Sequence, residues 1–413
     1  MRSVLQSLHI HAGKKAESAR QQQAPKVFYL IAEPGYPNYG DELIAGEWLT
    51  LLGEYYPEVP VVLDCARPGS AAMILRDKHP HVIFTDTLRR LGTENPFPYD
   101  GPINDIAHFV SQALDDDGIA PNYASGIRLL QRDVRSIHML GGGYMRGDWT
   151  CNLSRLAVGP WAHSRNIPVA ATGLGLMPIS GDSLVFAQHA AESFDVFTVR
   201  DVPTQNALQK GDDGGAADIV RVAPDDCFVN ELDGCYAYPE GLPDVMVCVQ
   251  SDFVKEEATL FEQVKRTLET WGVRKDDAIG VVECNPRIDY PILPYLAENG
   301  YSNLRFFPVV DLLEKGFPAR AGQRWLSTRY HPHILAAAKG CSGSFISVDS
   351  GYYDVKHDAV IRMGSHWTRN TIGEEPPSPG QGFVRGDMVK EYADEIRRNV
   401  HALYPRIPSA ANR

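Results

Sequence analysis

Val27-Phe-Tyr-Leu-Ile-Ala-Glu-Pro-Gly-Tyr-Pro-Asn-Tyr-Gly-Asp-Glu-Leu-Ile44, continuing through Tyr56 to Val61-Val-Leu63, is the stretch whose reading decides the fold. It opens on a short β-rich run, breaks at a Pro/Gly-rich loop, enters a helical stretch from Asp41 to Tyr56 and ends in a second apolar run. Strand, helix and strand in that order are the signature of a parallel sheet covered by helices.

The alternation continues along the chain. Val82-Ile-Phe84, Ile137-His-Met-Leu140, Pro168-Val-Ala-Ala171 and Val196-Phe-Thr-Val199 read as further strands, with helices at Asn104 to Leu114 and Leu153 to Ser164. After the Gly/Pro/Asp-rich linker Asp225 to Pro243 a second series starts, with strands at Val245 to Val249, Ile279 to Val282, Leu304 to Phe307, Arg324 to Ser327 and Phe345 to Val348. The clearest helix spans about Val254 to Trp271, with Leu260, Phe261, Val264, Leu268 and Trp271 at helical spacing. The Pro/Gly-rich segment from Thr371 to Gly382 excludes regular structure, and a last helix follows from about Arg385 to Leu403.

These elements predict a flexible tail over 1–25, a Rossmann-like domain over 26–235 on the acceptor side, a second over 244–370 on the donor side, and a loop with a closing helix over 371–413. A length of 413 residues fits two domains. The arrangement is similar to the GT-B fold: two Rossmann-like domains facing a cleft, with the C-terminal helix packing back on the first.

A formal net charge of −12 and the lack of a dense Lys/Arg run exclude a nucleic-acid binder. Seven scattered cysteines without C-x-x-C or zinc-like spacing read as buried thiols of a reduced cytosol. The N-terminus lacks a signal-peptide core, and no run approaches the roughly 18 apolar residues that span a bilayer. A cytoplasmic protein is expected, and a peripheral association with membrane would leave no such mark.

Chemistry-bearing residues cluster after the strands, where an open α/β sheet binds ligands. After the first strand, Asn38-Tyr-Gly-Asp-Glu42 opens a helix; Gly40 permits close approach to backbone, and Asp41 and Glu42 suit a hydroxyl-bearing acceptor better than a dianion, with plain N-capping by Asp41 as the structural alternative. Gly141-Gly-Gly143 and Gly173-Leu-Gly175 follow neighbouring strands, so that Gly142, Gly143, Gly173 and Gly175 are candidates for backbone held against a ligand. Pro178 stands where a dinucleotide fingerprint needs its third glycine. Arg200 and Asp201 either join the cleft or cap the next helix, and Asp226 is a candidate to hold a hydroxyl or orient a base.

Ser327-Thr-Arg-Tyr-His-Pro-His333 is the most informative segment. Arg329 and His331 face the same way in an extended stretch, and Pro332 fits the first turn of a helix that stops at Gly340. A guanidinium fork beside a histidine at a helix start is suited to bind an anion and protonate it, with a capping histidine and a surface arginine as the structural alternative. His331 with His333 as half a metal site is disfavoured, since no acidic partner at i, i+4 accompanies them; no metal is expected. Downstream, Tyr353 and Lys356 are placed to close an anion pocket, against the alternative of an ordinary solvated lysine.

Taken in order, Asn38-x-Gly-Asp-Glu42, Gly141-Gly-Gly143, Gly173-Leu-Gly-Leu-Met-Pro178, Val199-Arg-Asp201, Asp226-Cys-Phe228, Arg329-x-His331 and Tyr353-Asp-Val-Lys356 resemble the polysaccharide pyruvyl transferase family. The resemblance implies transfer of the pyruvate unit of phosphoenolpyruvate to two hydroxyls of a sugar, with phosphoenolpyruvate as co-substrate and no cofactor. It implies Arg329 at the donor and His331 as acid; from their own chemistry, Asp41 or Asp226 is the candidate to assist the hydroxyls. Tyr330 stands where the family usually has leucine, a change expected to alter packing behind the motif more than chemistry. On the same fold the alternatives are a nucleotide-sugar glycosyltransferase and an inactive carbohydrate-binding relative. Acceptor specificity is expected in the loops Glu33 to Asn38, Asp86 to Asn104 and Gly147 to Asn152.

Overall fold

The computed structural model describes residues 26–209, 219–254, 256–349 and 351–409. The expected tail over 1–25 lies outside them.

The chain folds into two parallel-sheet α/β domains in a GT-B-like arrangement. The first sheet contains β1 (Val27–Ile31), β2 (Val61–Asp64), β3 (Val82–Thr85), β4 (Val134–Met139), β5 (Val169–Leu174), β6 (Val196–Val199) and β7 (Val220–Val222), ordered β3-β2-β1-β4-β5-β6-β7. The second contains β8 (Val245–Cys248), β9 (Ile279–Val282), β10 (Leu304–Phe307), β11 (Arg324–Ser327), β12 (Ser342–Phe345) and β13 (Thr368–Arg369), ordered β10-β9-β8-β11-β12-β13. Both sheets reverse direction of growth once, between β1 and β4 and between β8 and β11. A crevice opens at each reversal, beyond the carboxyl ends of the strands, and the two crevices face each other.

One expected strand is displaced. The sheet uses Ser342–Phe345 rather than Phe345–Val348. Gly343 stands in it because a Cβ would come within 2.5 Å of the Trp325 carbonyl and 2.6 Å of the Trp367 ring.

The two domains share one core. Phe28, Leu30 and Trp48 of the first and Trp325, Ile334 and Leu335 of the second belong to the same buried cluster. Tyr39 N–H donates to the Cys284 carbonyl at 2.9 Å, and the Tyr39 ring stacks on Phe317. The C-terminal helix Met388–Asn399 packs back on the first domain: Arg397 Nε donates to the Val229 carbonyl at 2.9 Å, and Tyr392 packs on Phe228. Beyond it Tyr404 meets Phe28 edge-on, and Arg406 N–H donates to the Tyr56 hydroxyl. All seven cysteines are buried free thiols. Among the described residues no helix is long and apolar enough to cross a membrane.

Candidate active site

The helix Tyr330–Ala338 positions the central motif. Arg329 is its N-cap in extended conformation, so the chain turns into the helix between Arg329 and His331. At the far end Gly340 adopts φ +81°, and Gly340 N–H and Cys341 N–H donate to the carbonyls of Ala337 and Ala336. That is a Schellman stop, which fixes the helix at the length expected.

Arg329 and His331 open onto a cavity of about 140 Å³ between the domains. Asn38, Gly40, Asp41, Gly143 and Arg200 reach it from the first domain, and Tyr353 and Lys356 from the second. Nine of the residues singled out in the sequence therefore meet at one place.

Three basic side chains, Arg200, Arg329 and Lys356, line the cavity together with Asp41. Arg329 Nε and Nη2 both contact Asp289 Oδ1, at 2.9 and 2.5 Å, with Asp252 at 3.6 Å. Burial works against the guanidinium charge, but Asp289, Tyr353 and Asp252 outweigh it and raise its pKa. Arg200 lies 4.5 Å over the Tyr330 ring and 3.7 Å from Asp225. Lys356 Nζ lies 3.6 Å from the centre of the Tyr352 ring. Burial, then the Arg200 and Arg329 charges, push the Lys356 ammonium well below its ordinary value. A dianion in the cavity would relieve that repulsion.

His331 Nε2 lies 3.6 Å from Asp225 Oδ1, an ion-pair distance longer than a hydrogen bond. Burial alone would raise the Asp225 carboxyl; His331 and Arg200 hold it well below the usual carboxylate range. Asp225 is thus a fixed negative charge behind the imidazole. On the opposite wall Asp41 accepts from Asn38 Nδ2 at 2.7 Å, and burial pushes its carboxyl up to about 6 against the pull of His331 and Lys356. It lies in the first turn of the helix Tyr39–Tyr55, whose N-cap is Asn38, so the alternative of N-capping by Asp41 fails.

Five expectations are corrected. Asp226 does not reach the cavity: it is fully buried, and its Oδ2 accepts from Trp48 Nε1, Gly141 N–H and Thr172 Oγ1 at 2.9, 2.9 and 2.6 Å. Glu42 is buried and braces the preceding loop, accepting from Gly35 N–H at 2.6 Å. Gly142, Gly173 and Gly175 make room for protein rather than ligand: a Cβ would meet the Tyr144 ring at 2.6 Å, Asp226 Oδ1 at 3.1 Å and Arg200 Nε at 2.7 Å, respectively. Gly40 reaches the cavity for the same kind of reason, since a Cβ there would lie 1.8 Å from His331 Nδ1.

Asp201 accepts from Thr204 N–H at 2.7 Å and caps its helix, so the capping alternative applies to it and the cleft to Arg200. Tyr330 does more than pack behind the motif, because it lines the cavity and underlies Arg200. His333 is buried between His357 and Ser365, at 3.0 and 2.8 Å. Sequence reasoning missed Asp225, Asp289, Tyr144, Trp149, Tyr352 and Cys284. Asp225 had a signal as the other member of the Asp225-Asp226 doublet, and Trp149 lies in the loop Gly147 to Asn152 expected to carry acceptor specificity.

Fold and pocket define a GT-B-like protein with a cation-rich cleft between its domains. The family model for polysaccharide pyruvyl transferase matches residues 38–276, more than half the chain, and the chain belongs to that family. The match carries Asn38, Asp41, Gly143 and Arg200 and stops short of Arg329, His331 and Lys356, which the fold brings to the same cavity. No curated protein matches the chain. Similar solved structures include a putative UDP-N-acetylglucosamine 2-epimerase from Listeria monocytogenes (TM-score 0.49, 14% identity, 92% of this chain and 98% of that one). A glycosyltransferase from Rickettsia africae is also similar (TM-score 0.48, 10% identity, 93% and 89%). These likenesses carry no functional argument.

Proposed function

We propose that this transferase moves the pyruvate unit of phosphoenolpyruvate onto two hydroxyls of one sugar, in a polysaccharide, glycolipid or glycan precursor, and releases phosphate. The observation that carries the reading is the convergence of Arg200, Arg329 and Lys356 with His331 on one small cavity. Phosphoenolpyruvate bears a phosphate and a carboxylate, and three cations around an acid are what its activation requires.

Protonated His331 gives its proton to the methylene carbon. The carbon–carbon π pair forms the new C–H bond, and the adjacent carbon becomes oxocarbenium-like. A sugar hydroxyl attacks that carbon while Asp41 takes its proton. Phosphate then departs with the C–O pair, Arg329, Arg200 and Lys356 stabilising the charge it carries. A second hydroxyl closes the ketal. Of the two hydroxyl protons released, one replaces that lost by His331 and the other leaves on phosphate. Asp225 stands behind the imidazole, 3.6 Å from Nε2, and the reading uses phosphoenolpyruvate as co-substrate without a metal or cofactor.

Incubation with phosphoenolpyruvate and a broad glycan panel tests this, with phosphate release and product mass followed together. The expected result is one phosphate per pyruvate unit gained. Transfer from a nucleotide sugar, with phosphoenolpyruvate untouched, would overturn the reading in favour of a glycosyltransferase.

A further inference from the structure

A second cavity, of about 390 Å³, adjoins the first, and Asn38, Asp41, Tyr144 and Trp149 belong to both. The three loops expected to carry acceptor specificity converge on it: Glu33 and Tyr36 come from one, Arg89, Tyr99 and Asp100 from another, and Trp149 and Asn152 from the third.

The two linings differ in charge. Arg200, Arg329 and Lys356 line the first cavity, with Asp41 as its one carboxylate among the described residues, whereas Glu33, Asp100 and the shared Asp41 line the second with Arg89. Arg89 is already engaged, since its Nε lies 3.7 Å from Glu33 Oε1, which also meets Arg155 Nη1 at 2.6 Å. An incoming anion would compete with Glu33 for that cation and face Asp100 and Asp41. A hydroxyl-rich ring meets no such penalty, because carboxylates accept its hydroxyl protons and Arg89 donates to its oxygens. The aromatic surface fits the same guest: Tyr99 is 69% exposed and Tyr36 44%, and their faces suit the C–H face of a pyranose.

We propose that this cavity is the acceptor subsite and that Glu33 and Asp100 make it select an uncharged sugar ring over an acidic one. The proposal rests on the pyruvyl-transfer reading for its link to Asp41, which stands on the shared wall where a ring in the second cavity presents its hydroxyls to the first.

Paired methyl hexopyranosides and methyl hexopyranosiduronates of the same configuration are the probes. Saturation-transfer NMR reads ring binding without phosphoenolpyruvate, and kcat/KM with phosphoenolpyruvate reads transfer. Neutral rings should bind at least about tenfold more tightly than their uronates. Tyr99→Ala, which touches only the second cavity, should abolish ring binding and leave the thermal shift caused by phosphoenolpyruvate unchanged. Glu33→Gln frees Arg89 and should turn the preference toward the uronate. Asp100→Asn should narrow the gap; it keeps an acceptor for Cys151 N–H, which now donates at 3.2 Å, and asparagine tolerates the φ of 53° at that position.

Uronates binding as well as neutral rings, Tyr99→Ala binding like wild type, or no ring binding at all would each overturn the subsite. If rings bind in the expected pattern but no ketal forms from phosphoenolpyruvate, the subsite stands and the reaction reading falls. If ketal forms without that pattern, the reaction reading stands and the subsite falls.

Discussion

The imidazole of His331, on the second domain, rests directly on the backbone of Gly40 in the first: a Cβ at Gly40 would lie 1.8 Å from Nδ1. Nothing larger than hydrogen fits between them. Gly40→Ala adds a methyl inside a helix, where alanine is favoured by about 1 kcal/mol, yet the ring must move aside. Displacing a reacting group by about 1 Å costs roughly a hundredfold, so kcat should fall by about that factor while thermal stability changes little. Full turnover by a Gly40→Ala protein would show that the contact does not position the ring.

Asp41 sets the acid side of the pH profile. With its carboxyl pushed up to about 6 by burial, it is protonated below that value and is no longer basic enough to take a hydroxyl proton. Acceptor kcat/KM should therefore rise with pH through about 6, rather than near 4 as for an ordinary carboxylate. Asp41→Asn should lower the rate and flatten that limb, and an unchanged limb would assign it to another group.

Lys356 gives a prediction about binding. Burial and the flanking guanidinium charges hold its ammonium well below the ordinary lysine value, and a bound dianion favours the charged form. Phosphoenolpyruvate binding at alkaline pH should be accompanied by proton uptake, measured by calorimetry in buffers of different ionisation enthalpy. In Lys356→Met the uptake should disappear and affinity fall by about tenfold or more. Equal uptake in both proteins would contradict the assignment.

Asp226 separates structure from chemistry. Asp226→Ala leaves Trp48 Nε1, Gly141 N–H and Thr172 Oγ1 without their acceptor, a cost of about 3 kcal/mol or more. Asp226→Asn keeps an oxygen there and, below about pH 4 where the carboxyl is neutral in both states, should stay within about 1 kcal/mol of wild type. Burial pushes the Asp226 carboxyl up to about 6. A carboxyl raised on folding contributes stability at low pH and loses it as pH rises through its folded value. Asn should thus gain on wild type between about pH 4 and pH 6, as read by denaturant unfolding.

Strand-helix alternation made the two sheets readable, because buried parallel strands need apolar runs and the chain marks their ends with glycine and proline. Strand Ser342–Phe345 escaped because three of its four residues are serine or glycine, Gly343 for space beside Trp325 and Trp367 and Ser344 bonded to Thr368. The glycine blocks pointed to the right strand ends but concealed their guests: glycine records that something comes close, and here that something is Tyr144, Arg200, His331 or Asp226. Alternation along an extended stretch misplaced Tyr330 because the helix begins at that residue. Asp225 and Asp289 act through partners far away in sequence, Arg200 and His331 for one and Arg329 for the other, which no local pattern records.

Running the reaction in deuterium oxide tests most directly the claim that His331 protonates phosphoenolpyruvate in this cavity. The expected product is a ketal whose methyl group carries a single deuterium, formed with one phosphate per turnover, and His331→Ala should lose about a thousandfold in rate. Phosphoenolpyruvate left intact by the wild-type protein with every acceptor, or His331→Ala turning over at the wild-type rate, would contradict it.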